Sequence, residues 1–230
     1  MAEATHFQVF TYYANLIGYS RFIFLMMSPY WAFADNWLLC GVCYGTSYLL
    51  DCFDGYTARL YNQSSRFGAA LDQVCDRASN ATCYMILAQI FPKVSILFYL
   101  CFLLDFGSHW LQFQSTAYLG SSTHKGGNAK ENWMVSIYYN NGTVFSTVCV
   151  GAEVATCFLF WLGKQPSLYD NMPFCILTGI LTSIMAFKMF VNVHQWIGAA
   201  ERFAENQHIA DQKRKSEKKV KQTPAKSKSK

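Results

Sequence analysis

Apolar stretches of about 20 residues, the length a helix needs to cross a bilayer core of roughly 30 Å, recur along nearly the whole chain. Six can be drawn, approximately over residues 11–29, 36–60, 66–91, 94–115, 142–162 and 173–200 of the 230. Only 14% of residues are charged, against about 25% in an ordinary soluble domain. The pattern predicts an all-α, polytopic membrane protein with six transmembrane helices. Its 17% aromatic content suits a chain that meets two membrane interfaces many times.

The ends have a different character. Residues 1–10 contain Glu3 and no Lys or Arg, unlike a cleaved signal peptide, and are expected to lie along the interface with Phe7 and Phe10 near the headgroups. The net charge of +5 comes from the far end, where residues 213–230 hold nine Lys or Arg against Glu217 alone. That tail carries no aromatic residue, Leu or Ile to bury, so residues 205–230 are expected to form a disordered basic tail outside a helical domain spanning 11–204. A nucleic-acid-binding core is not indicated. The positive-inside rule places the tail, Arg59, Arg66, Lys125, Lys130 and Arg202 in the cytosol, with both termini on one side. The sequons at Asn62, Asn80 and Asn141 then lie in the cytosol or within a helix and are expected to stay unmodified. Residues 116–140, rich in Gly, Ser and Asn, read as an irregular cytosolic connection. All nine cysteines lie in apolar stretches and read as reduced packing residues, Cys40-x-x-Cys43 included.

Charged side chains near a bilayer centre cost roughly 2.5 kcal/mol or more each, so those inside the spans need a reason. They include Asp51, Asp54, Asp72, Asp76, Asp105 and Glu153, together with Arg21, Arg77 and Lys188. On helices Asp51 and Asp54 are three residues apart, and Asp72 and Asp76 four apart, so each pair shares a face. The pairs flank one short turn, and an antiparallel helical hairpin there gathers four carboxylates at similar depth. Hard divalent cations, Mg²⁺ or Mn²⁺, would neutralise them, and two such ions about 4 Å apart can clamp both oxygens of a phosphoryl displacement. The competing reading is a set of salt bridges to Arg59, Arg66 or Arg77 that ties helices together. A cation channel or transporter would also explain buried carboxylates, but their grouping near one face does not suit a pore.

Asp51-x-x-Asp54-Gly55-x-x-Ala58-Arg59, eight residues, then Gly68-x-x-x-Asp72-x-x-x-Asp76, matches every fixed position of the CDP-alcohol phosphotransferase signature. The segments Asn15-Leu-Ile-Gly-Tyr-Ser-Arg21, Asn62-Gln-x-x-Arg66-Phe-Gly68, Ser108-His109-Trp110 and Ser122-x-His124-Lys125 resemble the eukaryotic phosphatidylinositol synthases of that family. The resemblance covers roughly residues 10–200. It implies a dimeric endoplasmic reticulum enzyme that joins CDP-diacylglycerol to myo-inositol and releases CMP. It also implies that Asp51, Asp54 and Asp72 hold the metals and that Asp76 both touches a metal and acts as general base. Gly55, Ala58, Arg59, Gly68 and Asn15 are then the expected CDP-diacylglycerol contacts. Arg59 could instead pair with Asp51, and Asn15 could simply satisfy helix backbone. An uncharged polyol needs several hydrogen-bond partners, and Asp105, His109, Gln112, His124 and Lys125 are the candidates. Asp105 and His109 could equally pair with each other, or with Lys188 or Arg77. The alternative within the family is the same chemistry with serine, glycerol 3-phosphate or phosphatidylglycerol as acceptor. Intramembrane prenyl transfer also uses paired Asp motifs but lacks the Gly-x-x-Ala-Arg element. The terminal Lys226-Ser-Lys228-Ser-Lys230 resembles a dilysine retrieval signal, or tethers the tail to an anionic leaflet.

Overall fold

The structure, a computed structural model, describes residues 6–119 and 133–222, and among these it is helical with no strand. The helices are α1 (His6–Phe10), α2 (Tyr13–Phe33), α3 (Trp37–Leu60), α4 (Arg66–Ile90), α5 (Ser95–Leu119), α6 (Trp133–Asn140), α7 (Gly142–Lys164) and α8 (Met172–Gln222), with 3₁₀ turns at Pro92–Val94 and Pro166–Asp170. The five helices α2, α3, α4, α5 and α7 run for 21 to 25 residues, so each is about 32 to 38 Å long. Among the described residues three segments are long and apolar enough to cross a membrane by length and composition, Pro92–Thr116, Gly142–Lys164 and Met172–His208.

Local chemistry explains the helix ends that frame the hairpin of α3 and α4. The Asn36 side chain caps α3 by accepting from the Leu39 N–H at 3.1 Å, and Ser65 Oγ caps α4 by accepting from the Gly68 N–H at 2.9 Å. Between the helices Asn62 takes φ 53°, a left-handed conformation that Asn tolerates, and the Gln63 N–H returns to the Ala58 carbonyl at 2.8 Å. Gln63 Oε1 accepts the Tyr13 N–H at 2.9 Å, which ties this turn to the start of α2.

The chain forms two compact units. The first contains residues up to Phe106 together with Ser146–Met189. Small residues let its helices approach closely, as expected where bundles pack by van der Waals contact in lipid. A Cβ at Gly18 of α2 would lie 2.8 Å from Leu71 of α4; the Ser47 hydroxyl of α3 donates to the Arg21 carbonyl at 3.0 Å. An apolar core joins Tyr84, Leu87, Phe98, Ala152, Ala155, Met185 and Met189. Glu153 on α7 is held in the same unit by the Tyr44 hydroxyl at 2.5 Å and the Lys188 ammonium at 3.4 Å.

The second unit contains Gly107–Phe145 and the chain from Phe190 onward. There the indole of Trp196 fills the space a side chain at Gly107 would take, and the Tyr139 hydroxyl donates to Gln195 at 3.0 Å.

Three boundaries differ from the sequence reading. Pro29 does not end α2: it removes one bond to the preceding turn, yet the helix runs on to Phe33, where the Ala34 N–H reaches the Tyr30 carbonyl. The connection expected to be irregular contains α6, an eight-residue helix over Trp133–Asn140. The backbone of α8 remains helical to Gln222 instead of ending near residue 204, because Ala, Glu, Gln, Lys and Arg favour helix without tertiary burial. Residues 223–230, with the three terminal lysines, lie outside the described residues, as do 1–5. The nine cysteines are free, as expected.

Candidate active site

The last three turns of α3 carry Asp51 and Asp54 on one face, and α4, entering from the capped turn, carries Asp72 and Asp76. The structure brings all four carboxylates around a single guanidinium, that of Arg21 on α2. Arg21 lies 2.6 Å from Asp51 Oδ1, 2.6 Å from Asp54 Oδ2, 2.7 Å from Asp72 Oδ1 and 2.8 Å from Asp76 Oδ1. Arg59, Arg66 and Arg77 were the partners expected from sequence if the aspartates were structural, and Arg21 was expected nearer mid-span. Its partners lie 30 to 55 residues away, beyond the reach of any local pattern. The available signal was that Arg21 is the one charged residue of α2.

The cluster is asymmetric in exposure. Arg21 is 3% exposed and Asp54 12%, whereas Asp72 is 48% exposed, so the carboxylates open away from α2. One guanidinium against four carboxylates leaves the group formally three charges negative. One oxygen each of Asp51, Asp72 and Asp76 lies within 4.8 Å of the others, so three hard oxygen donors are already grouped. That donor set fits Mg²⁺ or Mn²⁺, and the uncompensated negative charge favours divalent cations.

Beside the carboxylates is a cavity of about 200 Å³ whose lining includes Asn15, Asp54, Gly55, Ala58, Arg59, Gly68 and Asp72. All five residues that sequence reasoning assigned to CDP-diacylglycerol therefore face one space. Arg59 makes no ion pair among the described residues; Asp51, its alternative partner, is engaged by Arg21. A Cβ at Gly55 would stand 3.5 Å from the Arg59 guanidinium, in ordinary van der Waals contact.

Asp105, a candidate acceptor ligand, is 1% exposed and accepts from Arg77 at 2.6 Å and from Asn80 Nδ2 at 3.1 Å. Arg77 also lies 3.8 Å from Asp76, so Asp105 joins the carboxylate cluster through one residue. His109 and Gln112 belong to the second unit, where His109 Nδ1 is 3.2 Å from the Ser108 hydroxyl and Gln112 Oε1 accepts from Arg202. His124 and Lys125 lie outside the described residues.

Four aspartates gathered around one arginine, three of them partly exposed, beside a cavity lined in part by small residues make a candidate site for divalent cations and an anionic substrate. The family model for CDP-alcohol phosphatidyltransferase matches residues 11–201, and the chain belongs to that family. Curated relatives are more specific. The Drosophila melanogaster protein named CDP-diacylglycerol–inositol 3-phosphatidyltransferase is 32% identical over 87% of this chain and 89% of its own length. The Homo sapiens protein of the same name is 34% identical over 85% of this chain and 92% of its own. The Arabidopsis thaliana protein named CDP-diacylglycerol–inositol 3-phosphatidyltransferase 1 is 35% identical over 82% of each chain. No solved structure matches the chain.

Proposed function

We propose that this protein transfers the phosphatidyl group of CDP-diacylglycerol to myo-inositol, giving phosphatidylinositol and CMP. The observation that carries the reading is the gathering of Asp51, Asp54, Asp72 and Asp76 beside the cavity lined by Asn15, Gly55, Ala58, Arg59 and Gly68. The named relatives supply the acceptor.

The cavity takes the cytidine diphosphate, with Gly55 and Ala58 small on its wall, Gly68 letting the Asn15 amide approach, and Arg59 facing the negative charge of the diphosphate. Asp51, Asp54, Asp72 and Asp76 would hold two Mg²⁺ or Mn²⁺ ions. Such ions would supply positive charge against the charge developing on the departing CMP phosphate. Asp76 is the general base, because an inositol hydroxyl is a poor nucleophile at neutral pH until a placed carboxylate accepts its proton. The hydroxyl oxygen bonds to the phosphorus that bears diacylglycerol, the bond to the CMP oxygen breaks, and CMP leaves with that electron pair. For inositol we propose that Asp105 acts through Arg77, which lies 3.8 Å from Asp76; His109, Gln112, His124 and Lys125 are each proposed as inositol contacts on their hydrogen-bonding chemistry alone.

Six membrane crossings with both termini in the cytosol remain the proposed topology. Its support is that α2 and α3, though richer in polar residues, turn Ile23, Met26, Leu38, Val42 and Leu49 outward, each more than half exposed and suited to lipid. An endoplasmic reticulum location and a homodimer are proposed from the family resemblance. Incubating purified protein with CDP-diacylglycerol, Mg²⁺ or Mn²⁺, and inositol, serine or glycerol 3-phosphate in separate reactions tests the reading. Phosphatidylinositol from inositol alone is expected; a different lipid would preserve the chemistry and replace the acceptor.

A further inference from the structure

The arginine at the centre of the carboxylates has no part in the chemistry above. Its terminal nitrogens lie 2.6 to 2.8 Å from one oxygen of each of four aspartates, and its Nε is buried without a hydrogen-bond partner. The Asp51, Asp72 and Asp76 side chains in the candidate metal group are also partners of Arg21. A carboxylate oxygen directed at a guanidinium and one directed at a divalent ion compete for the same lone pairs. The position of α2 is fixed independently, by the Ser47 hydroxyl on the Arg21 carbonyl and by Gly18 packed on Leu71.

We propose that Arg21 is a resident counter-cation that divalent metals displace from the four aspartates. This rests on the metal-dependent reading of the site. Arg21 neutralises part of the acidic cluster so that α3 and α4 can pack while unloaded, and it sets the metal concentration at which the site fills. Displacement is a linked equilibrium, so weakening the guanidinium strengthens metal binding by the same factor. Lysine retains the charge but is a point donor unable to span four carboxylates, which makes Arg21→Lys a weaker competitor with a conservative fold.

The test is Mn²⁺ binding to the purified full chain, read by electron paramagnetic resonance, for wild type, Arg21→Lys and Arg21→Gln, with thermal unfolding in EDTA and in saturating Mn²⁺. The expected result is Mn²⁺ binding several-fold tighter in Arg21→Lys and at least ten-fold tighter in Arg21→Gln. Both variants should lose stability in EDTA and recover most of it with Mn²⁺. Equal or weaker Mn²⁺ binding in Arg21→Lys would overturn the proposal, leaving Arg21 a plain structural tie, even if Arg21→Gln fails to fold. An equal stability loss with and without Mn²⁺ would overturn it too. A wild-type chain that binds no Mn²⁺ would overturn both this proposal and the metal reading beneath it.

Discussion

The side-chain amide of Asn15 occupies the space that a side chain at Gly68 would need. Asn15 Oδ1 lies 2.8 Å from the position of a Cβ at Gly68, and Asn15 Nδ2 donates to the Val9 carbonyl at 2.5 Å. The amide is pinned at its other end, so it cannot yield freely, and α2 and α4 meet across these two residues at the cavity edge. Gly68→Ala should therefore destabilise the protein by about 1–3 kcal/mol and raise the KM for CDP-diacylglycerol. Asn15→Ala in the same chain should recover part of the stability loss. Thermal unfolding of the two single variants and the double variant checks this, and strict additivity would show that the contact is not the cause.

Asp76→Asn keeps the size of the side chain and removes its ability to accept a proton. Turnover should fall about a hundred-fold to ten-thousand-fold while CDP-diacylglycerol binding is largely kept. Steady-state rates alongside equilibrium binding of the lipid nucleotide measure the two separately. Near-normal turnover would remove Asp76 as the base.

Asp105 and Arg77 form a buried pair 2.6 Å apart, with Asp105 almost inaccessible. Truncating one partner leaves the other charge buried and uncompensated. Asp105→Ala should cost about 3–5 kcal/mol of stability, far more than an exposed ion pair would. Asp105→Asn, which still accepts from Arg77, should unfold at a temperature much nearer wild type. A small effect of Asp105→Ala in thermal unfolding would mean the pair is dispensable for folding.

The transfer is a displacement without hydrolysis, so it should run backwards. Adding CMP with Mn²⁺ or Mg²⁺ should let labelled inositol exchange into phosphatidylinositol, and EDTA should stop the exchange. Lipid mass spectrometry reads the label directly, and its absence at high CMP would contradict a reversible step.

Much of this architecture can be read from the chain because it depends on local rules. The apolar lengths alone locate α3, α4, α5 and α7 within a few residues. The spacing of Asp51, Asp54, Asp72 and Asp76 foretells their convergence, since a hairpin of two helices fixes their faces. From sequence Arg21 read only as part of the polar motif of the first span, a candidate nucleotide contact, because its place among the aspartates arises only when α2 packs against both helices of the hairpin. The pairing of Asp105 with Arg77, one of several partners left open, depends on α4 and α5 meeting across 28 residues. Helix α6 was obscured by the Gly- and Asn-rich composition upstream of it.

Transfer to inositol fixes the stoichiometry of the products. Purified protein given CDP-diacylglycerol and deuterated myo-inositol should yield deuterated phosphatidylinositol and CMP in equal amounts, with neither appearing when inositol or the divalent ion is withheld. CMP released without inositol, or CDP-diacylglycerol left intact in the complete mixture, would contradict the account.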